Sequence, residues 1–187
     1  MDKSISTKIL EKIGFVVEPS HYNKNLFFYI NWFFKDYKNT FLYVLSKNNW
    51  FFGGTINIQF IRPFLNKLRG VKIGKKVAIG DDACIGLTYP ELIEIGDGCR
   101  ISHSVKIIEH GRNLKSFTKG SSILDQKVVS KKIIIESDCH IGVGSIILPG
   151  VTNGKGSVIG AGTVVRETIE PYSLVLGNPG KVVKKFN

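Results

Sequence analysis

From Ile73 onward the chain repeats with a period of six residues, and no other feature of the sequence constrains its fold as strongly. Ile73, Ile79 and Ile85 form one series, Ile95, Ile101 and Ile107 a second, Ile135, Ile141 and Ile147 a third, and Asn153, Ile159 and Val165 a fourth. Only Asn153 departs from Ile or Val. Gly follows the aliphatic residue at Gly74, Gly80, Gly86, Gly96, Gly142, Gly154 and Gly160, and the fourth position after it is usually small, as at Ala83, Cys99, Cys139, Ser145, Ser157 and Thr163. A helical face needs apolar spacings of three and four, and plain strand alternation runs in twos, so neither accounts for a period of six. A short strand plus a corner does. The β-branched residue points inward, Gly relieves the backbone where it turns, and the small residue fits beside the next corner. Three units close a triangular turn, and about four such turns stack into a mainly β solenoid whose backbone hydrogen bonds run from coil to coil.

The repeat is interrupted twice, by extra residues between Ile85 and Ile95 and by a long excursion over 111–132. Insertions in a solenoid project as loops, often on the binding side. Asn153 occupies an aliphatic slot, and a buried amide needs hydrogen-bond partners, so a bulge is expected in that coil. Tyr89 and Ile169 break the series of small residues. Residues 61–187 form the solenoid domain, and 1–60 form a short aromatic-rich N-terminal region, α or mixed, that packs on it or serves the acceptor side. The apolar run 26–34 (LFFYINWFF) is about half the length of a membrane span before Lys35 and Asp36 interrupt it. Packing against the neighbouring domain is expected of it, with peripheral contact at a membrane surface as the alternative.

Composition narrows the partners. Of 187 residues, 43% are hydrophobic and 22% charged, which fits a folded chain and argues against bulk disorder. A net charge of +11 favours anionic partners. The charge is spread thinly, in pairs such as Lys131-Lys132 and Lys184-Lys185, without a helix-turn-helix, zinc-finger or RNP signature, so nucleic acid is not expected among them. Cys84, Cys99 and Cys139 are odd in number and lack CxxC spacing, which suits a reducing compartment better than a disulfide framework or a zinc knuckle. The start, MDKSISTKILEKIG, has no continuous apolar segment followed by a small-residue cleavage site, so no secretory signal and a cytoplasmic location are expected.

The pattern Ile-Gly-x-x-small-x, the run IGVGSIILPGVTNGKGSVIGAGTVV at 141–165 and the closing GNPGKVV at 177–183 together resemble the hexapeptide-repeat acetyltransferases, in particular those that modify sugars of surface polysaccharides. The resemblance covers residues 60–187, near enough. It implies a left-handed parallel β-helix, against the usual crossover hand. It also implies a homotrimer with sites between neighbouring solenoids, acetyl-CoA as acyl donor, no metal, and transfer to the hydroxyl of a sugar or glycan. N-acetylation of a nucleotide-linked amino sugar is the neighbouring alternative. Outside the class stand a metal-dependent solenoid hydratase using His103, His110 and His140, and a solenoid that binds without catalysis.

Acyl transfer to an alcohol needs a base, and histidine suits neutral pH. His110 follows Ile107-Ile108-Glu109 where the second coil gives way to the excursion, and it resembles the acid-His pair of the polysaccharide-modifying relatives. Glu109 would orient the imidazole, but neighbours in a strand point to opposite faces, so the chain must bend for it to do so. His140 stands where relatives commonly carry Trp before Ile-Gly, and is the rival base or a substrate contact. The resemblance places Gly142, Val143, Ala161 and Gly162 along the pantetheine arm and Arg166, Lys181 and Lys184 near the nucleotide phosphates. Gly142 and Gly162 have a second reading as corner glycines, and Lys184 as a solvated tail charge. Arg166-Glu167 stands where many relatives have Thr-Lys, so a shifted phosphate contact is expected. Cys84 has no paired base and is not expected to act as a nucleophile.

Overall fold

The computed structural model describes residues 3–12, 17, 21–47, 61–115 and 117–187, so parts of the expected N-terminal region, including its boundary at 60, lie outside the described residues. The chain divides into two compact units, Met1–Thr40 and Phe41–Asn187. In the second unit the period of six becomes a three-faced parallel β-helix. Its first face is β1 (Lys72–Ile73), β4 (Ile93–Ile95), β9 (Ile133–Ile135) and β12 (Thr152–Asn153). Its second is β2 (Ala78–Ile79), β5 (Arg100–Ile101), β10 (His140–Ile141), β13 (Val158–Ile159) and β15 (Ser173–Leu176), closed by the antiparallel β16 (Lys181–Lys185). Its third is β3 (Cys84–Ile85), β6 (Lys106–Ile107), β11 (Ile146–Ile147) and β14 (Val164–Val165).

The strand register stacks the repeat residues into three buried columns. Ile73, Ile95, Ile135 and Asn153 align in the first, Ile79, Ile101, Ile141 and Ile159 in the second, and Ile85, Ile107, Ile147 and Val165 in the third. Ile169, which breaks the six-residue count, bridges Asn153 and so continues the first column, and Val175 continues the second. The corner after Val165 is two residues short. A partial fifth coil therefore follows the four expected. The expected bulge at Asn153 does not form: Thr152 and Asn153 pair in step with Ile134 and Ile135. The amide is fully buried, and neither Nδ2 nor Oδ1 has a hydrogen-bond partner among the described residues.

The repeated Gly has a different cause from the one expected. At Gly142 a Cβ would come within 2.6 Å of the Ala161 nitrogen on the next coil, so glycine is required by coil-to-coil approach. The backbone turns two residues later, in left-handed conformations at Lys76, Asp82, Gly98 and Gly162 among others; Gly86 is the exception, with a left-handed φ of its own.

Among the described residues no strand lies above the first coil, which leaves its carbonyls unpaired by the ladder. Helix α3 (Ile61–Arg69; α1 and α2 precede it) supplies donors from its buried polar face. Arg62 Nη1 donates to Ile79 O at 3.2 Å and Nε to Ser46 O at 2.8 Å, and the guanidinium pairs with Asp81. Arg69 Nη1 donates to Ile85 O at 2.9 Å and Nη2 to Gly86 O.

In the first unit, α1 (Ile5–Lys12) meets the start of α2 (Leu26–Lys47) through a polar knot. The Tyr29 hydroxyl lies 2.7 Å from Thr7 Oγ1 and donates to His21 O at 2.8 Å. Tyr29 is the one buried aromatic of the run 26–34. Leu26, Phe27, Ile30, Trp32, Phe33 and Phe34 are exposed, whereas Tyr29, Asn39 and Ser46 of α2 are buried. No helix among the described residues is long and apolar enough to cross a membrane.

Candidate active site

Both interruptions of the repeat fall at one corner, between the third and first faces. The chain leaves β3 through residues 86–92, which end in a 3-10 turn at Pro90–Leu92, and leaves β6 through Ile108 into the excursion. The excursion is an antiparallel hairpin of β7 (His110–Arg112) with β8 (Val128–Ser130). Where the chain swings out from the coil, Glu109 turns inward and is 1% exposed.

Its carboxylate is met by the first interruption. Glu109 Oε1 accepts from the backbone N–H of Thr88 at 3.1 Å and of Tyr89 at 2.9 Å, and lies 3.1 Å from His110 Nδ1. Gly86 leaves the room: a Cβ there would stand 3.1 Å from Glu109 Oε2. The buried Arg69 guanidinium interacts electrostatically with Glu109; burial pulls Arg69 below its usual range, while Cys84, Tyr43 and Glu109 favour its charged form. The bend that adjacent residues need in order to meet is thus present.

An ionised carboxylate accepts from Nδ1–H, which fixes the tautomer and leaves the lone pair on Nε2. The His110 side chain is 37% exposed, and Tyr89 packs edge-on to it with ring centroids 5.8 Å apart. A half-open imidazole, held through one nitrogen by a buried acid, can take a proton through the other. Arg69 and Thr88 were not singled out from sequence, and Tyr89 was noted only as a break in the series of small residues. The signal that could have found Thr88 and Tyr89 is the extra length between Ile85 and Ile95, one coil before Glu109 at the same corner.

His140 is exposed on the second face, in register with Arg100 and Val158, so one chain does not bring it to His110. His103 Nδ1 accepts from Asp81 N at 3.1 Å. Among the described residues no three His, Cys, Asp or Glu side chains are grouped to hold a metal ion. The Cys99 thiol is pushed up by its hydrogen bond with Cys139 and by burial, which makes it a poor nucleophile.

Val143, Ala161 and Gly162 share the corner between the second and third faces, with Gly162 N donating to Val143 O at 2.8 Å. Val143 is half-exposed, and a Cβ on Gly162 would meet nothing within 4 Å. Gly142 has the packing reason given above. Arg166 leaves the same corner as His110, two coil steps further on, about 10 Å of backbone spacing. Arg166 and Lys181 line one groove of about 330 Å³ with Glu167, Thr168, Pro179 and Val182. Lys184 is not in that groove; its Nζ lies 5.7 Å from the centroid of the Phe186 ring. A larger depression of about 510 Å³ runs along the first face, where Glu94 pairs with Lys72 and Lys132, away from the histidine.

Residues 132–167 match the family model described as the hexapeptide repeat of succinyl-transferase. A "probable acetyltransferase" of Mycobacterium tuberculosis is 37% identical over 114 residues, 61% of this chain and 37% of that protein, so the chain spans well under two thirds of that relative. A hexapeptide-repeat acetyltransferase of Vibrio cholerae, solved with acetyl coenzyme A, superposes with a TM-score of 0.58 at 20% identity, covering 82% of this chain and 87% of that one. A galactoside acetyltransferase solved with coenzyme A gives 0.58 at 22% identity, covering 82% and 81%. The solenoid is therefore a left-handed parallel β-helix of the hexapeptide-repeat kind. Within that class its similarity runs to acetyltransferases.

Proposed function

We propose that this chain is an acetyl-CoA-dependent O-acetyltransferase that acts on a sugar hydroxyl in the cytoplasm, in surface polysaccharide assembly. The observation that carries the reading is the contact between buried Glu109 and half-open His110 at the corner where both interruptions meet. His110 Nε2 takes the proton of the acceptor hydroxyl as its oxygen bonds to the thioester carbonyl. Glu109 stabilises the imidazolium so formed, as an oriented carboxylate does in other His-based acyl transfer. The carbon–sulfur bond then breaks, the CoA thiolate recovers the proton, and the products are a sugar acetyl ester and free CoA.

The open corner at Val143, Ala161 and Gly162 suits the pantetheine arm, and the groove holding Arg166 and Lys181 suits its phosphates. Lys184 reaches the nucleotide only by leaving Phe186. The functional form is a homotrimer, in which His140 of one solenoid contacts the acceptor held at a neighbour's His110.

The test is release of CoA thiol from acetyl-CoA over a panel of sugars. Thiol release with at least one of them is expected, and His110→Ala lowers it about a hundredfold or more while acetyl-CoA still binds. His140→Ala is the control. Loss of turnover with His140→Ala but not His110→Ala would reassign the base, and no release with any acceptor would sink the acetyltransferase reading.

A further inference from the structure

Helix α2 is inside out for a soluble protein, in which the apolar stripe of a helix faces the core. Leu26, Ile30, Phe33, Tyr37, Phe41 and Val44 recur at three- and four-residue steps, and Phe27 and Phe34 widen the stripe to about a third of the helix circumference. All eight are exposed, Phe27 to 72% and Phe34 and Tyr37 to 64% each. The buried positions of the helix are Tyr29, Asn39 and Ser46, on the other side. Helix α3 repeats the inversion: Arg62, Asn66 and Arg69 are buried, whereas Phe64 and Leu68 are exposed.

Charge decides between occupants of this face. Lys24, Lys35, Lys38 and Lys47 lie just before or within α2, whose one acidic residue is Asp36, and the chain carries a net charge of +11. A second copy laid on the stripe would bring like charges together. A bilayer with anionic headgroups neutralises them. We propose that α2 lies in the plane of an anionic membrane, with the aromatic stripe in the headgroup boundary and the solenoid outside it. This does not depend on the acetyltransferase reading.

The experiment is co-sedimentation of the full chain with vesicles of phosphatidylcholine alone and of phosphatidylcholine mixed with phosphatidylglycerol, at low and high salt. Binding to the mixed vesicles is expected to exceed binding to the neutral ones and to weaken with salt. The variant carrying Phe33→Ser, Phe34→Ser and Tyr37→Ser, all at exposed positions, is expected to keep its far-ultraviolet dichroism and to lose vesicle binding about tenfold or more. A second variant, Lys24→Glu with Lys38→Glu, is expected to lose the preference for phosphatidylglycerol while leaving every apolar residue in place. Wild-type chain that stays in the supernatant with mixed vesicles overturns the proposal, as does undiminished binding by the triple variant. So does a triple variant whose light-scattering mass falls while its vesicle binding is kept, since the face would then join copies of the chain.

Discussion

Glu109 is a carboxylate deprived of water and compensated by two backbone N–H groups, an imidazole and a nearby guanidinium. Its structural part and its proposed catalytic part can be separated by substitution. Glu109→Ala leaves the Thr88 and Tyr89 donors unpaired and should cost about 1–3 kcal/mol in denaturant unfolding, as unsatisfied buried groups do. Glu109→Gln keeps an acceptor for both, so stability should largely return, yet it bears no charge to balance an imidazolium, and turnover should still fall about tenfold or more. Full turnover in the Gln variant would reduce Glu109 to a structural part of the turn. That His110 lies at the corner where the repeat fails was legible from sequence. That Glu109 could meet it was not, since the contact depends on a bend outside the periodic pattern. Arg69 was illegible for a further reason: it lies before the repeat and reaches the site through a helix that no period announces.

At the scale of the element, the columns were read correctly and their exception misread. A buried amide was expected to distort its strand, but the inter-coil hydrogen bonds of β12 hold the register and the Asn153 side chain has no partner among the described residues. Asn153→Val should therefore raise stability by about 1–3 kcal/mol, measured by denaturant midpoint with an unchanged slope. A lower midpoint would mean that the amide has a partner in solution. Ile169 was missed for a related reason: a shortened corner preserves the stacking of residues while destroying the sequence count that reveals it. Gly86 apart, the glycines were found by period and explained wrongly, because sequence spacing carries no information about how closely the next coil approaches. The run 26–34 shows where hydropathy stops informing. Hydropathy marks it as apolar, but which side of a helix is covered is set by the partners it meets, here Thr7 for Tyr29.

For the whole molecule, the proposed trimer requires that solenoids associate by their sides. Light scattering at micromolar concentration should give the mass of three chains, and a monomer would count against sites shared between solenoids. The cap formed by Arg62 and Arg69 bears on the same question. A parallel β-helix with a bare terminal coil offers a ready template on which another chain could extend the sheet, the growth mode of a fibril. Here the carbonyls at that end, Ile79, Ile85 and Gly86, are already taken by guanidinium groups. Whatever assembly this chain forms, those three carbonyls of its first coil are closed to a further strand, so extension of the second and third faces at that end is opposed by the protein's own arginines.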